Sequence, residues 1–157
     1  MGLVDWMKVS DFKAVFEVNF FGTLRCVKAF LPILKHQAAA GTYKNGRIIN
    51  MISTAGIFSG GIISNAYESS KHALDAFTTN LRLEMKPFGI SVTAINPGMH
   101  KTPAADGKAI AGSLKKVWDS MTPEHQTEYG EGKFLWCCCC NLIFGELIFH
   151  VKRRIHP

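Results

Sequence analysis

The chain has 157 residues, 47% of them hydrophobic and 19% charged. That is long enough for one domain with a real core, and the balance is that of a globular protein, which sets aside disordered and fibrous classes. The net charge of +6 is spread along the sequence apart from Lys152-Arg153-Arg154, so no basic stripe for nucleic acid is indicated.

Residues 1–9 read as a loop, with no charged and apolar succession of a signal peptide. Trp6 stands where a myristoylated N-terminus would carry Ser or Thr. Ser10 is the expected N-cap of a helix over 11–36, with Asp11 suited to its positive end. The apolar positions Phe12, Val15, Phe16, Val18, Phe20, Leu24, Val27, Phe30 and Leu31 carry that expectation, and Pro32 predicts a bend. Cys26, alone in this apolar helix, is expected in the core. Residues 38–45 are small and polar and read as a linker.

A short apolar run over 46–52 (Gly46 to Ile52) reads as a buried strand of parallel type. A Ser- and Gly-rich loop over 53–64 leads to a second helix over 65–86, ended by Pro87 and Gly89. A second buried strand covers 90–95 and turns at Asn96-Pro97-Gly98. Residues 108–120 fit an amphipathic helix, and Thr122-Pro123-Glu124 is a helix start with Thr as cap and Pro in the first turn.

From about residue 134 the composition changes, and 134–151 is almost continuously apolar. A spanning helix needs about 20 apolar residues, and Asn141, Glu146 and His150 interrupt this run. A membrane-associated segment, an altered end of the coding sequence and a buried helix all fit it. Four of the five cysteines, Cys137 to Cys140, are consecutive. That spacing suits neither a disulfide framework nor, without a second ligand pair, a metal site. No metal is expected.

Helix, strand, helix, strand is the grammar of an α/β fold with a parallel sheet, and such sheets bind ligands at the carboxyl ends of their strands. Ser53 follows the first strand and Pro97-Gly98 the second. The helix between them carries Tyr67 and Lys71, one turn apart on one face. An ordinary tyrosine loses its proton near pH ~10, too high for ready exchange at neutrality, and a fixed cation one turn away favours the phenolate. The pair is therefore a candidate acid–base centre.

These motifs, in this order, resemble those of the short-chain dehydrogenase/reductase family over residues 1–133. Asn50-Met51-Ile52-Ser53-Thr54-Ala55-Gly56 is similar to the family's Asn-x-Ser-Ser-x-x-Gly segment, with Ser53 at the catalytic serine, 14 residues before Tyr67. Tyr67-x-x-x-Lys71 matches the active-site pair. Glu17-Val18-Asn19-Phe20-Phe21-Gly22 resembles the helix motif whose asparagine, here Asn19, completes the tetrad. Pro97-Gly98-Met99-His100-Lys101-Thr102 matches the segment that contacts the nicotinamide end of the cofactor. Asp5-Trp6, the turn at 86–90, Trp118 and Tyr129-Gly130-Glu131-Gly132 are similar to the retinol, hydroxysteroid and 3-hydroxybutyrate dehydrogenase branch.

The resemblance implies NAD or NADP as cofactor and a small alcohol or carbonyl substrate. It implies Tyr67, Lys71, Ser53 and Asn19 as catalytic residues, with Asn19 bending its helix and holding a water that relays protons to Lys71. Asn19, Tyr67, Lys71, Pro97, Gly98 and Thr102 would contact the cofactor. The fold implied is the second half of a Rossmann-like, doubly wound parallel sheet. The family's Thr-Gly-x-x-x-Gly-x-Gly turn, which seats the cofactor pyrophosphate at a helix N-terminus, is absent. Residues 1–133 then form a partial family domain and 134–157 an atypical tail. Three readings follow: a dehydrogenase of the cytoplasm or the endoplasmic-reticulum membrane, an inactive fragment surviving as an interaction module that could pair with an intact relative, or a membrane-peripheral protein anchored by 134–151. Helices 11–36 and 65–86 are the expected pairing surface, for an intact relative or for a second copy in a homo-oligomer. An apolar sheet edge without its neighbouring strands is expected to be exposed.

Overall fold

The computed structural model describes residues 2–41, 46–59, 64–98 and 107–130. Thr102, the cysteine run and the apolar tail lie outside them. The chain divides into two compact units, Ser10–Ser59 with Ala66–Gly98, and Met1–Val9 with Gly60–Asn65 and Met99–Pro157.

The first unit contains a parallel pair of strands, β1 (Arg47–Met51) and β2 (Ser91–Ile95), in the register Ile48 to Val92 and Asn50 to Ala94. Parallel neighbours require a crossover, and α3 (Asn65–Met85) supplies it. Its buried residues Ala66, Ser70, Leu74, Thr78, Leu81 and Met85 recur every three or four positions, so they form one stripe. A tight turn over Lys86–Phe88 ends it, and Gly89 takes the left-handed conformation, φ 67°, that stops a helix cleanly. Leu81 and Met85 pack with Ile90, Val92 and Val27 into the core, joined by Leu31, Leu34 and Ala38 of α2 (Gly22–Ala39). Ile48, Asn50, Val92 and Ala94 form the covered sheet face, whereas Ile49, Met51 and Ile95 point the other way and are exposed.

Three expectations for the first helix are corrected. The helix α1 (Val9–Phe16) already contains Ser10, which therefore does not cap it. Helix α2 runs on through Pro32 to Ala39, and the break in regular geometry lies earlier, in a π-helical turn over Glu17–Phe21. Cys26 is exposed, because the buried stripe of α2 falls at positions 27, 31, 34 and 38, and residue 26 stands about 100° away from it.

In the second unit Trp6 is buried at the end of a 3₁₀ turn, Val4–Trp6, where a loop was expected. Trp6 packs on Leu114 of α4 (Gly107–Asp119) and makes edge contacts with Trp118 and Tyr129, at 5.5 and 5.4 Å between ring centres. Residues 123–130 are helical, and the Thr122 hydroxyl accepts from the His125 N–H as the expected cap. The Tyr129 hydroxyl donates to Asp5, which holds that phenol's proton and raises its pKa. Among the described residues no helix is long and apolar enough to cross a membrane.

Candidate active site

The site begins where the two parallel strands end side by side. Beyond β1 the Ile52 N–H donates to the Ile95 carbonyl at 2.8 Å and the Thr54 N–H to the Pro97 carbonyl at 3.0 Å. Between them the Ser53 N–H reaches Asn96 Oδ1 at 3.5 Å. These bonds continue the sheet ladder into the loops, so Ser53 and Asn96-Pro97 are held together. Ser53 then caps a single 3₁₀ turn, Thr54–Gly56, its hydroxyl oxygen accepting from the Ala55 N–H at 3.1 Å. Acting as acceptor there, Ser53 keeps its own proton to donate. Gly56 rests against the backbone of α3 at Lys71, which fastens the serine loop to the helix.

On α3, Tyr67 is exposed and Lys71 half-buried. The Lys71 ammonium lies 5.6 Å from the centre of the Tyr67 ring and donates to the Met51 carbonyl at 3.4 Å. Burial lowers the Lys71 pKa from its ordinary 10.5, because it disfavours the charged form.

Asn19 occupies the middle of the π-helical turn. The Gly22 N–H bonds to the Glu17 carbonyl five residues back, and Arg25 Nη2 meets the Glu17 carboxylate at 2.7 Å. The Thr23 hydroxyl donates to the Asn19 carbonyl at 3.0 Å. The Asn19 side-chain amide donates to Ser70 Oγ at 3.0 Å, and the Ser70 hydroxyl donates to the Tyr67 carbonyl at 2.7 Å. Asn19 is thus tied to the helix that carries Tyr67 and Lys71, through a residue the motifs did not single out.

A second polar tie was also missed. Asn50 of β1, buried, donates to Thr78 Oγ1 at 2.9 Å, and Thr78 donates to the Leu74 carbonyl at 2.7 Å. The available signal was spacing: Ser70 and Thr78 stand two turns apart on the buried stripe, at positions otherwise apolar. Pro97 and Gly98 lie at the end of β2, as expected from their place after the second strand.

The family model for short chain dehydrogenases matches residues 2–110. The chain belongs to the short chain dehydrogenase family. A 3beta-hydroxysteroid dehydrogenase from Caenorhabditis elegans, dhs-16, is 37% identical over 127 residues, covering 81% of this chain and 31% of the relative. Retinol dehydrogenase 5 from Mus musculus is 32% identical over 155 residues, covering 99% of this chain and 42% of the relative. A short chain dehydrogenase from Burkholderia cenocepacia, solved with NADP, superposes with a TM-score of 0.57 at 28% identity, over 67% of this chain and 42% of that one. The chain therefore spans about a third to two fifths of the length of these two curated relatives, and its two-stranded parallel sheet is part of the Rossmann-like fold of the family.

Proposed function

We propose that this chain carries the proton-transfer part of an NAD- or NADP-dependent oxidoreductase, one that interconverts a primary or secondary alcohol and its carbonyl. The observation that carries the reading is the Lys71 ammonium held over the Tyr67 ring by the Met51 carbonyl, beside the carboxyl ends of two parallel strands. The names of the relatives support an apolar substrate of retinoid or steroid type.

Tyr67, 39% exposed, reaches an outside molecule and exchanges a proton between its hydroxyl and the substrate oxygen. The positive charge of Lys71 stabilises the negative charge that develops on the phenol oxygen during that exchange. Ser53, its hydroxyl proton still available, donates to the same substrate oxygen. Asn19 holds a water that passes protons to Lys71. The ammonium has three N–H groups, and with one on Met51 the others fit the hydroxyls of a nicotinamide ribose. Pro97 and Gly98, at the end of β2, would contact the nicotinamide end, and Thr102 is the further residue the resemblance implies there. A bound nicotinamide would take or supply the hydride. Its pyrophosphate needs a glycine-rich turn that this sequence does not contain.

Titration of the purified chain with NADH and NADPH tests the reading. Binding in the micromolar range supports an enzyme, and no binding removes enzymatic function from this chain. In an active, longer form, Tyr67→Phe should abolish turnover and leave cofactor affinity nearly unchanged; comparable turnover overturns the role of Tyr67.

A second reading has its own support. Phe30 and Ile33 on α2 and Leu83 on α3 are exposed, at 62%, 53% and 67%. Apolar side chains in such positions favour pairing with a second copy or an intact relative. Sedimentation that shows a monomer at all concentrations would remove it.

A further inference from the structure

We propose that Ser70 is a positioning residue that locks the π-helical turn at Asn19 onto the Tyr67–Lys71 helix. Its meaning for catalysis rests on the oxidoreductase reading above, but its physical content does not.

Ser70 is fully buried, at 0% exposure, in the middle of the α3 stripe. Its single proton goes to the Tyr67 carbonyl at 2.7 Å, so its oxygen can only accept from Asn19, which donates at 3.0 Å. A hydroxyl that donates in one direction is a stronger acceptor in the other, and the two bonds support each other away from water. They run in series from the middle of the π turn to the backbone of Tyr67, the residue next to Lys71 on the same face.

A π-helical turn holds one residue more than the α-helical register and is rarely stable by itself. Something must hold it at Glu17–Phe21. Among the described residues, the contacts at the turn include the Asn19–Ser70 bond, the edge packing of Phe20 on Phe77 of α3 at 6.0 Å between ring centres, the Thr23–Asn19 bond within the helix, and the Arg25–Glu17 ion pair. The ring contact is non-directional, and the Thr23 bond does not reach α3, so the Asn19–Ser70 bond is the directional link between the turn and that helix. The ion pair is 62% and 59% exposed on its two sides and so is screened and weak. The Asn19–Ser70 bond is protected from water on the Ser70 side. The same comparison sets Ser70 apart from Thr78, which is equally buried and donates back along α3 in the same way, but binds Asn50 of β1 and not the π turn.

Nuclear magnetic resonance of the isotopically labelled full chain decides the matter. In Ser70→Ala the Asn19 side-chain amide signals should shift, and amide exchange over residues 20–24 should accelerate by about tenfold or more. Arg25→Ala should leave both near the parent values, and Thr78→Val should leave the Asn19 signals in place and speed exchange over 20–24 no more than at the other core amides. The proposal is overturned if Ser70→Ala leaves the turn as protected as before, or if Arg25→Ala or Thr78→Val loosens it equally relative to the other core amides. Should Ser70→Ala fail to fold, Asn19→Ala removes the donor from outside the core. Loss of protection over 20–24 then supports the proposal, and retention overturns it. None of these readouts involves turnover or cofactor, so failure of the oxidoreductase reading would leave them unchanged.

Discussion

Gly56 lies directly on the backbone of Lys71: a β-carbon at residue 56 would stand 2.9 Å from the Lys71 carbonyl oxygen and 2.7 Å from Ile52 Cγ2. The first of these atoms is helix backbone and cannot move aside as a flexible side-chain tip can. The glycine thus allows the serine loop to approach α3, and only hydrogen fits there. Gly56→Ala should destabilise the first unit by about 1–3 kcal/mol, as other overpacking changes do. An unchanged urea midpoint would show that the loop is not seated on the helix in this way.

Gly89 makes the opposite case. Nothing lies within 4 Å of a β-carbon built there, but its φ of 67° is left-handed. The expected cost of Gly89→Ala is conformational, about 1–2 kcal/mol, and Gly89→Asn should cost less because Asn tolerates that region. At Gly56 the order reverses, since Asn is larger than Ala. Chemical denaturation of the four variants checks both orders together.

The buried Asn50–Thr78 pair gives a third expectation. Thr78→Val keeps the shape but leaves the Asn50 amide without its acceptor, which costs about 1–3 kcal/mol. Adding Asn50→Leu removes the orphaned group and should recover part of that loss. A double-mutant cycle should return a coupling of about 0.5–3 kcal/mol between the two positions, and additive costs would sink the assignment.

These contacts show where the sequence was legible. Buried stripes and short apolar runs placed α3, α4, β1 and β2 within a residue or two, because each segment has one covered face with a fixed period. The order of strand, helix and strand brought Ser53, Tyr67, Lys71 and Pro97 to one end of the sheet for the same reason. The π turn was not legible from periodicity: Phe16, Val18 and Phe20 alternate without a helical period, and Val18 is in fact exposed. Only the family resemblance pointed to a bend at Asn19. Ser70 and Thr78 escaped notice because a buried hydroxyl on an apolar stripe has no sequence signature of its partner. Cys26 misled for a related reason, since an apolar residue beside a stripe looks like part of it until the helix phase is known.

The last expectation concerns Lys71 and pH. Its pKa in the folded chain is lowered from 10.5 by burial, so between the folded value and 10.5 the unfolded chain binds more protons than the folded one. Stability contributed at this site therefore rises with pH across that window. Below the window both states carry the charge, and the folded state bears the full desolvation penalty. Above 10.5 both are neutral and the penalty is gone. Lys71→Met, which keeps the stem and removes the charge, should accordingly raise the melting temperature relative to the parent at neutral pH. The difference should shrink as pH climbs through the window and vanish above 10.5. Every other ionisable group is common to both proteins, so the difference between the two curves cancels it. The gain at neutral pH should be small, since Lys71 is only half-buried and its ammonium still bonds the Met51 carbonyl. A Lys71→Met gain that is independent of pH would mean that packing, and not charge burial, separates the two proteins. A loss at neutral pH would mean that the Met51 bond outweighs desolvation, contrary to the direction in which the Lys71 pKa moves.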